Sequence, residues 1–265
     1  MSSGIIKSYK SNINSFRVII GGKKIEIKHQ YQKVYNQCKD YMADFARPEY
    51  VIPYSPEFAV KISNIIDKPE FNIRLKKVAV TLDPAVLEAW SICFLIAHKM
   101  LEVDTLLMHG AVVALDNKAY IFIASSGTGK TTHILNWKKI FPETVIINGD
   151  KPLINTSNRL VYGTPWCGKE GYNTNTSAPL AGIISLERGK DNSIKPISFH
   201  EMLPILLQQT YIPMERVLAL KAYSLIGNLK DVHCYKLMCN MKEESALVAY
   251  EGIKANEISA FNTRI

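Results

Sequence analysis

Apolar and polar residues alternate in short runs along the first part of the chain. Residues Phe16–Lys28 hold two such runs on either side of Gly21-Gly22, which is the composition of a β-hairpin. The stretch Tyr31–Phe45 is expected to be helical and to end at Arg47-Pro48, since the residue before a proline avoids the helical conformation. The run YVIPYS, residues 50–55, predicts a further strand. Together these runs indicate a small α+β unit.

Two pairs that end in proline mark helix starts. Ser55-Pro56 offers an N-cap followed by proline at the first helical position and predicts a helix over Glu57–Ile66. Asp83-Pro84 repeats the signal before the mostly apolar segment Ala85–Met100, which predicts a buried helix. We interpret this second helix as the join between an N-terminal α+β segment, residues 1–105, and a second domain, residues 106–265.

From Leu106 the apolar runs become longer. LLMHGAVVAL and AYIFIA, separated by a DNK turn, predict a hairpin whose second strand is nearly all apolar and therefore central in its sheet. Further strands are predicted at ETVIIN, RLVYG, AGIISLE and DVHCYKL, and helices over His200–Gln209, Glu215–Ile226 and Glu243–Ala255. Residues 106–265 therefore have an α/β pattern with a mixed sheet.

The composition is that of a folded globular protein. Of 265 residues, 47% are hydrophobic and 21% are charged, which excludes disordered, fibrous and many-domain classes. The best apolar run, Ala89–Ala97, contains Ser91 and is followed by His98 and Lys99, so it falls short of the ~20 residues of a membrane span. The N-terminus lacks the apolar core of an export signal. We therefore expect a cytoplasmic protein without a membrane partner.

Charge and cysteine usage narrow the choice of partners. Thirty-two lysine and arginine residues against 24 acidic ones give a net charge of +8, which favours phosphorylated or acidic ligands. The basic residues are spread along the chain without a nucleic-acid module, which argues against a dedicated nucleic-acid binder. The five cysteines are an odd number without CxxC pairs, as is typical of reduced thiols rather than of disulfides or zinc clusters.

A phosphate-loop pattern follows the predicted central strand. Residues Ala124–Thr131, ASSGTGKT, match the template except that Ala124 replaces the first glycine. Gly127 and Gly129 allow consecutive N–H groups to face one anion, and the following helix adds its positive N-terminal end. A glycine-rich turn without a ligand is the alternative.

The template gives each residue of the loop a role. Lys130 would neutralise the β- and γ-phosphates of a nucleotide, and the Thr131 hydroxyl would bind the Mg²⁺ that bridges them. The predicted nucleotide contacts in the loop are Ser125, Ser126, Gly127, Thr128, Gly129, Lys130, Thr131 and Thr132.

Several segments together resemble the catalytic domain of the HPr serine kinases. The resemblance covers residues 108–250 and is carried by HGAVVALDNKAYIFIASSGTGKTTH, NGDKP, GTPWCGK and LERG. These segments are most similar to those of bacterial HPr-kinase-like proteins, some of which are linked to peptide modification. The resemblance implies a mixed-sheet P-loop kinase core of the HPr kinase/phosphoenolpyruvate carboxykinase type, homo-oligomeric assembly, and phosphoryl transfer from Mg-ATP to a hydroxyl. HPr kinases carry an N-terminal domain that residues 1–105 of this chain do not resemble. The resemblance therefore does not imply HPr as the substrate.

The resemblance also assigns the acceptor side of the site. The family has two aspartates after the strand, the first on the metal and the second near the acceptor hydroxyl, and Gly149-Asp150 stand at these places. Asp150 is expected to orient or deprotonate the hydroxyl and to be a metal ligand together with Thr131. His109 is expected to tune Asp150, and Arg188 to neutralise the transferring phosphoryl group. A plain Gly-Asp turn, and an ion pair of Arg188 with a neighbouring acid, are the structural alternatives.

The segment GTPWCGK supplies two more candidates. Lys169 is expected to contact phosphate and Trp166 to form a wall of the pocket, with simple packing of the tryptophan as the alternative. Cys167 has no neighbouring histidine to support a thiolate nucleophile, so no chemistry is assigned to it.

Three other functions agree with parts of the pattern. Ala124 and Gly149 are features that a nucleotide-binding regulatory module or pseudokinase would show. A carboxykinase-type decarboxylase would need a metal-binding lysine and histidine pair, and a nucleic-acid-dependent ATPase would need a second set of motifs. We therefore expect a kinase whose acceptor is a Ser or Thr of a peptide or protein, or a small-molecule hydroxyl.

Overall fold

A computed structural model of the protein describes residues 13–59, 61 and 83–262, which form a mixed α/β structure. The strands are β1 (Asn14–Ile20), β2 (Lys23–His29), β3 (Tyr50–Ile52), β4 (Thr105–Leu107), β5 (Ala111–Leu115), β6 (Lys118–Ile123), β7 (Val145–Asn148), β8 (Leu153–Asn155), β9 (Leu160–Tyr162), β10 (Ser177–Arg188), β11 (Ser193–Ile197) and β12 (His233–Cys239). The helices are α1 (Gln32–Gln37), α2 (Pro84–Leu101), α3 (Lys130–Ile140), α4 (Phe199–Gln209), α5 (Arg216–Gly227) and α6 (Glu244–Asn262).

The N-terminal hairpin forms as its sequence predicts. β1 and β2 pair antiparallel along their whole length, and Gly21 and Gly22 make the turn with φ values of 60° and 73°. Glycine adopts this left-handed conformation without steric cost, which explains the pair at this position. β3 adds to β2 in parallel, so the strand predicted at residues 50–55 is confirmed over its first three residues.

The helix expected over Tyr31–Phe45 is wrong beyond Gln37. A 3-10 turn follows α1 at Lys39–Tyr41, and Tyr41 is buried in the core. Met42 is then extended and forms a bridge with β1. The chain must turn to place Tyr41 in the core and Met42 beside the sheet, and this tertiary packing overrides the helical pattern.

Ser55 begins a helical turn as predicted. Its hydroxyl accepts a hydrogen bond from the N–H of Phe58, 3.3 Å away, at the start of the turn at residues 56–59. Most of the helix expected over Glu57–Ile66 lies outside the described residues.

α2 is the central helix of the N-terminal part. Asp83 accepts a hydrogen bond from Ala85 N–H at 3.0 Å, and Pro84 occupies the first turn, which confirms the predicted start. Among the residues that the structure describes, α2 is the one helix that could cross a membrane by length and composition, with a mean hydropathy of 1.3. Because 56% of it is buried inside the protein, it suits the core of a soluble protein.

The large sheet is mixed and has the strand order β4-β8-β9-β10-β6-β5-β7, with β12 also paired to β10 and β11 paired to β12. β6, β10 and β12 run parallel to one another, whereas the remaining pairs in this sheet are antiparallel. The carboxyl ends of parallel strands meet at one edge of a sheet. The segments that follow β6, β10 and β12 are therefore brought together.

The predicted hairpin after Leu106 forms, but its first half is two strands. β5 and β6 are joined by Asp116 and Asn117, with φ values of 52° and 57°. β4 pairs with β8 instead, and the chain leaves the ladder at His109 and Gly110, whose N–H groups bind the carbonyls of Gln209 and Asp150. The long run LLMHGAVVAL is therefore broken where those two backbone bonds redirect it.

The later strands and helices are confirmed at the predicted places, while two strands are additional. The sequence does not indicate β8, which has three residues, or β11, which contains Pro196. α3 and α6 pack on one face of the large sheet, and α4 and α5 on the other. The core around α2 and the N-terminal hairpin continues to Trp166 and Tyr211, and the division at residue 105 stays a prediction.

Candidate active site

The 124–129 loop joins β6 directly to α3, which is the strand–loop–helix context that a phosphate loop needs. Gly127 and Gly129 have φ values of 80° and 119°, in the region that favours glycine. Ser125 and Ser126 are exposed at the outer side of the loop. The first N–H groups of α3 have no carbonyl partner within the helix and add to the positive end of its dipole.

Lys130 lies within this curl rather than in solvent. Its ammonium donates to the Ala124 carbonyl at 2.8 Å and approaches the Ser125 carbonyl at 3.5 Å, and the residue is 7% exposed. Burial lowers the pKa of Lys130 to about 8, with the charge of Lys151 acting in the same direction and that of Asp150 opposing. An anion bound by the loop would therefore meet a lysine that is charged at neutral pH.

Arg188, at the end of β10, holds the loop by its backbone. The guanidinium donates to the Gly127 carbonyl from Nη2 at 2.6 Å and to the Thr128 carbonyl from Nε at 3.1 Å. Glu187, the neighbouring acid, pairs with Lys236 instead, at 2.8 Å. The structure thus places Arg188 on the carbonyls of the loop, and its expected contact with a phosphoryl group stays a prediction.

Met241 closes the other side of the loop. A Cβ added at Gly129 would lie 2.0 Å from Met241 Cε, at the flexible end of a side chain that would have to shift, so the φ of 119° is the stronger reason for glycine at this position. Asn136 on α3 donates to the Met241 carbonyl at 3.1 Å and fixes the segment after β12 against the helix. The three parallel strands thus each contribute a segment to the surroundings of the loop.

Asp150, two residues after the end of β7, is held between two nitrogen donors. His109 Nε2 lies 3.2 Å from one carboxylate oxygen, and Lys151 Nζ lies 2.9 Å from the other. Burial alone would raise the pKa of Asp150, but the hydrogen bond from His109 and the charge of Lys151 outweigh it and hold the pKa well below its usual range. Asp150 is therefore ionised at neutral pH.

His109 is the neutral member of this group. Burial lowers its pKa below the ordinary value, the hydrogen bond to Asp150 opposes this shift, and the charges of Lys151 and Lys130 add to it. A neutral imidazole that donates from Nε2 satisfies the geometry with Asp150. The expected partnership of His109 with Asp150 is thus present in the structure.

Buried Asn148 aims Asp150 into the site. Its side-chain oxygen accepts from the N–H groups of Asp150 at 2.8 Å and Lys151 at 2.7 Å. Its amide nitrogen donates to the carbonyl of Thr164 at 2.9 Å, which anchors the turn to the neighbouring loop. Asparagine is well suited to such a turn because its side chain replaces a backbone partner.

Gly149 has a packing role that its sequence does not reveal. Its N–H donates to the Tyr172 carbonyl at 2.8 Å, and an added Cβ would lie 2.8 Å from the Cys167 carbonyl. A side chain at this position requires the backbone to move. The turn therefore has no room for the carboxylate that the resemblance places at residue 149.

Lys151 and Trp90 belong to the site, although the sequence analysis missed both. The Lys151 ammonium lies 5.5 Å from the centroid of the Trp90 ring, and its side chain is 12% exposed. Trp90 lies on α2, so the N-terminal part contributes a wall of the site. The one signal in the sequence is that a lysine follows Asp150. Nothing in the sequence indicates that Trp90, 61 positions before Lys151, lies beside it.

The 163–170 loop covers this side of the site. Trp166 is buried, and its indole N–H donates to the Ala89 carbonyl of α2 at 2.9 Å, which is the packing alternative. Gly168, with a φ of 87°, lies over Asp150, since a Cβ there would be 3.4 Å from Asp150 Cβ. Lys169 is exposed, and its contact with phosphate stays a prediction.

Cys167 and the two expected metal ligands, Thr131 and Asp150, lie in different surroundings. Burial raises the pKa of Cys167, which agrees with assigning no chemistry to it. In the described ranges, no cluster of three or more His, Cys, Asp or Glu residues could hold a metal ion. The two expected metal ligands, the partly exposed Thr131 hydroxyl and Asp150, are oxygen donors, which suit a Mg²⁺ that keeps most of its bonds to phosphate and water. Thr132 is exposed.

No protein-family model matches the chain, and no curated protein matches it. The family suggested by the sequence therefore rests on the motifs themselves.

Proposed function

We propose that the protein is a phosphotransferase that moves the γ-phosphoryl group of ATP to a hydroxyl. The observation that carries the proposal is the meeting of two groups at one edge of the sheet: the buried Lys130, which follows the 124–129 loop, and the half-buried, ionised Asp150. β6 and β7 both pair antiparallel with β5, so the loop after β6 and Asp150 after β7 lie at the same edge of the sheet. The charge of Asp150 also acts to raise the pKa of Lys130. One is suited to bind phosphate and the other to bind a hydroxyl.

The nucleotide end of the reaction uses the loop. Backbone N–H groups at residues 125–131 and the Lys130 ammonium would hold the phosphates, while Arg188 keeps the loop in its curled form. Mg²⁺, when bound, would neutralise phosphate charge, with Thr131 and Asp150 as its protein ligands.

The acceptor end uses the carboxylate. Asp150 would accept the hydrogen bond of the acceptor hydroxyl and orient its oxygen toward the γ-phosphorus. The oxygen forms the new bond to phosphorus and its proton passes to Asp150, while the bond from phosphorus to the β–γ bridging oxygen breaks and the electron pair of that bond leaves with ADP. His109 and Lys151 hold the carboxylate in place, and each carboxylate oxygen keeps a lone pair for the acceptor.

The acceptor is proposed as a Ser or Thr of a peptide or protein, or a small-molecule hydroxyl, since an exposed loop and an ionised carboxylate do not select among these. The specific fold of the HPr kinase/phosphoenolpyruvate carboxykinase type, a cytoplasmic location and homo-oligomeric assembly belong to the same proposal and rest on the sequence motifs.

A regulatory nucleotide-binding module is the second candidate. It is favoured by the tight turn at Gly149, which has no room for a carboxylate at that position, and by the low pKa of Asp150, which makes it a weak base. This candidate would bind ATP and not turn it over.

The test measures Mg-ATP binding by calorimetry and ADP formation with three acceptors: water, free serine and a Ser/Thr peptide library. Lys130→Ala is expected to abolish ADP formation, and Asp150→Asn to abolish it while ATP still binds. Lys139→Ala, an exposed position on the same helix, is the control and should retain full activity. Binding without turnover in the wild type would favour the regulatory module, and absence of binding would sink both candidates.

A further inference from the structure

Three cations lie near the proposed path of the phosphoryl group, two at its nucleotide end and one at its acceptor end. Lys130 and Arg188 donate to carbonyls of the 124–129 loop, at the nucleotide end. Lys151 places its ammonium on the carboxylate of Asp150, 2.9 Å away, at the acceptor end. A phosphoryl group moving from the loop to a hydroxyl on Asp150 therefore approaches Lys151.

Lys151 is held in place before any ligand binds. Its N–H donates to Asn148 at 2.7 Å and to the Trp166 carbonyl at 3.1 Å, which fixes the backbone. The ring of Trp90 and the carboxylate of Asp150 then position the ammonium. A charge held in this way, with 12% of its side chain exposed, interacts more strongly with a ligand than a solvated lysine does.

We propose that Lys151 is a further catalytic residue of this site, which contacts the phosphoryl group during transfer, and that Trp90 from α2 positions its ammonium. This inference rests on the proposed phosphotransferase function. In the transition state the phosphoryl group is bonded weakly to both the leaving oxygen of ADP and the entering hydroxyl oxygen, and its negative charge lies on the three equatorial oxygens. The Lys151 ammonium would donate to one of these oxygens while the electron pair of the broken bond stays on ADP.

Arg188 is the residue from which Lys151 must be distinguished. Its guanidinium is 2.6 and 3.1 Å from two loop carbonyls, so its loss should weaken the binding of any nucleotide. Loss of Lys151 should instead leave nucleotide binding unchanged and weaken the binding of a planar phosphoryl mimic.

The test uses the full chain and needs no acceptor. Affinities for Mg-ADP, and for Mg-ADP with aluminium fluoride as the mimic of the phosphoryl group in transfer, are measured by calorimetry for the wild type, Lys151→Met, Lys151→Arg and Arg188→Met. We expect aluminium fluoride to tighten wild-type binding by about 100-fold, Lys151→Met to lose most of this gain at unchanged Mg-ADP affinity, and Lys151→Arg to keep part of it. Arg188→Met should weaken Mg-ADP itself.

The outcomes separate the inference from the function on which it rests. If Lys151→Met keeps the full gain, the role of Lys151 is overturned and the proposed function stands. If the wild type binds Mg-ADP and shows no gain with aluminium fluoride, the proposed transfer and the role of Lys151 are both overturned, while nucleotide binding remains. A wild type that does not bind Mg-ADP overturns both. Thermal melting of each variant identifies loss of fold, and Trp90→Leu gives a second reading, since it keeps the charge and should reduce the gain by about tenfold.

Discussion

The guanidinium of Arg188 holds the carbonyl of Gly127 at 2.6 Å, so the end of β10 fixes the loop that follows β6. These two strands are parallel neighbours, and their carboxyl ends therefore lie at the same edge. The contact joins residues 61 positions apart in the chain. The conformation of the loop thus depends on the sheet as well as on its own glycines.

Arg188→Ala is expected to weaken Mg-ATP binding by about tenfold, because the loop loses two hydrogen bonds to a charged donor that keep it curled. The change in thermal stability should be small, since Arg188 is exposed. Calorimetry gives the affinity. Arg159→Ala, which removes an exposed ion pair with Asp231, is the matched control. Unchanged affinity with lost turnover would instead assign Arg188 to the phosphoryl group.

Gly149→Asp is expected to destabilise the protein by about 2–4 kcal/mol and not to create a metal site, because its Cβ meets the Cys167 carbonyl at 2.8 Å. Gly149→Ala should show most of the same loss. Gly227→Ala is the control, since a Cβ there meets nothing within 4 Å. Urea unfolding measures the free energies. A stable Gly149→Asp protein with tighter Mg²⁺ binding would show that the turn can open.

Asn148→Ala is expected to cost about 2–4 kcal/mol and to lower turnover with little change in ATP affinity, because the turn that aims Asp150 loses its buried hydrogen bonds. Asn155 accepts from two backbone N–H groups in the same manner, away from the site. Asn155→Ala therefore serves as the control and should affect stability without affecting turnover. Equal loss of turnover in both variants would contradict the specific role of Asn148.

Acid should destabilise the protein through buried His133. Trp137 donates to its Nε2, so the neutral ring carries its proton on Nδ1, facing Ser245. Burial lowers the pKa of His133 from 6.5 to about 3, so the unfolded chain takes up a proton first as the pH falls. The contribution of neutral His133 is complete above pH 6.5 and is lost toward pH 3, by about 2 kcal/mol between pH 7 and 5.

The measurement is urea unfolding at a series of pH values. His133→Gln should flatten the pH dependence of the unfolding free energy, whereas His200→Gln, at an exposed histidine, should leave it unchanged. A parallel pH dependence in wild type and His133→Gln would show that His133 is not the group responsible.

Local patterns in the sequence are sufficient for much of the fold and for the conformation of the 124–129 loop. The hairpin at Gly21-Gly22, the start of α2 at Asp83 and the loop before α3 each depend on residues close together in the chain. The helix expected over Tyr31–Phe45 fails because its end is set by contacts with β1, which the sequence does not display.

The surroundings of Asp150 depend on contacts between distant residues, and there the sequence is less informative. Asp150 and His109 were found through motifs, yet the ring of Trp90 beside Lys151 follows from the packing of α2. By comparison with the family motif, Gly149 stands where an aspartate is expected. In the structure a side chain at this position would meet the carbonyls of Cys167 and Tyr172, which is a steric reason for glycine.

The bond from the Trp166 indole to the Ala89 carbonyl joins the two parts of the chain at the edge of the site. With Trp90 beside Lys151, it makes the N-terminal part a structural support of the candidate site. If residues 106–265 were produced alone, the surface of Trp166 that packs on α2 would be exposed to water, and Lys151 would lose its contact with Trp90. The smallest unit that preserves the site therefore includes α2, and the two parts are expected to unfold in a single cooperative transition.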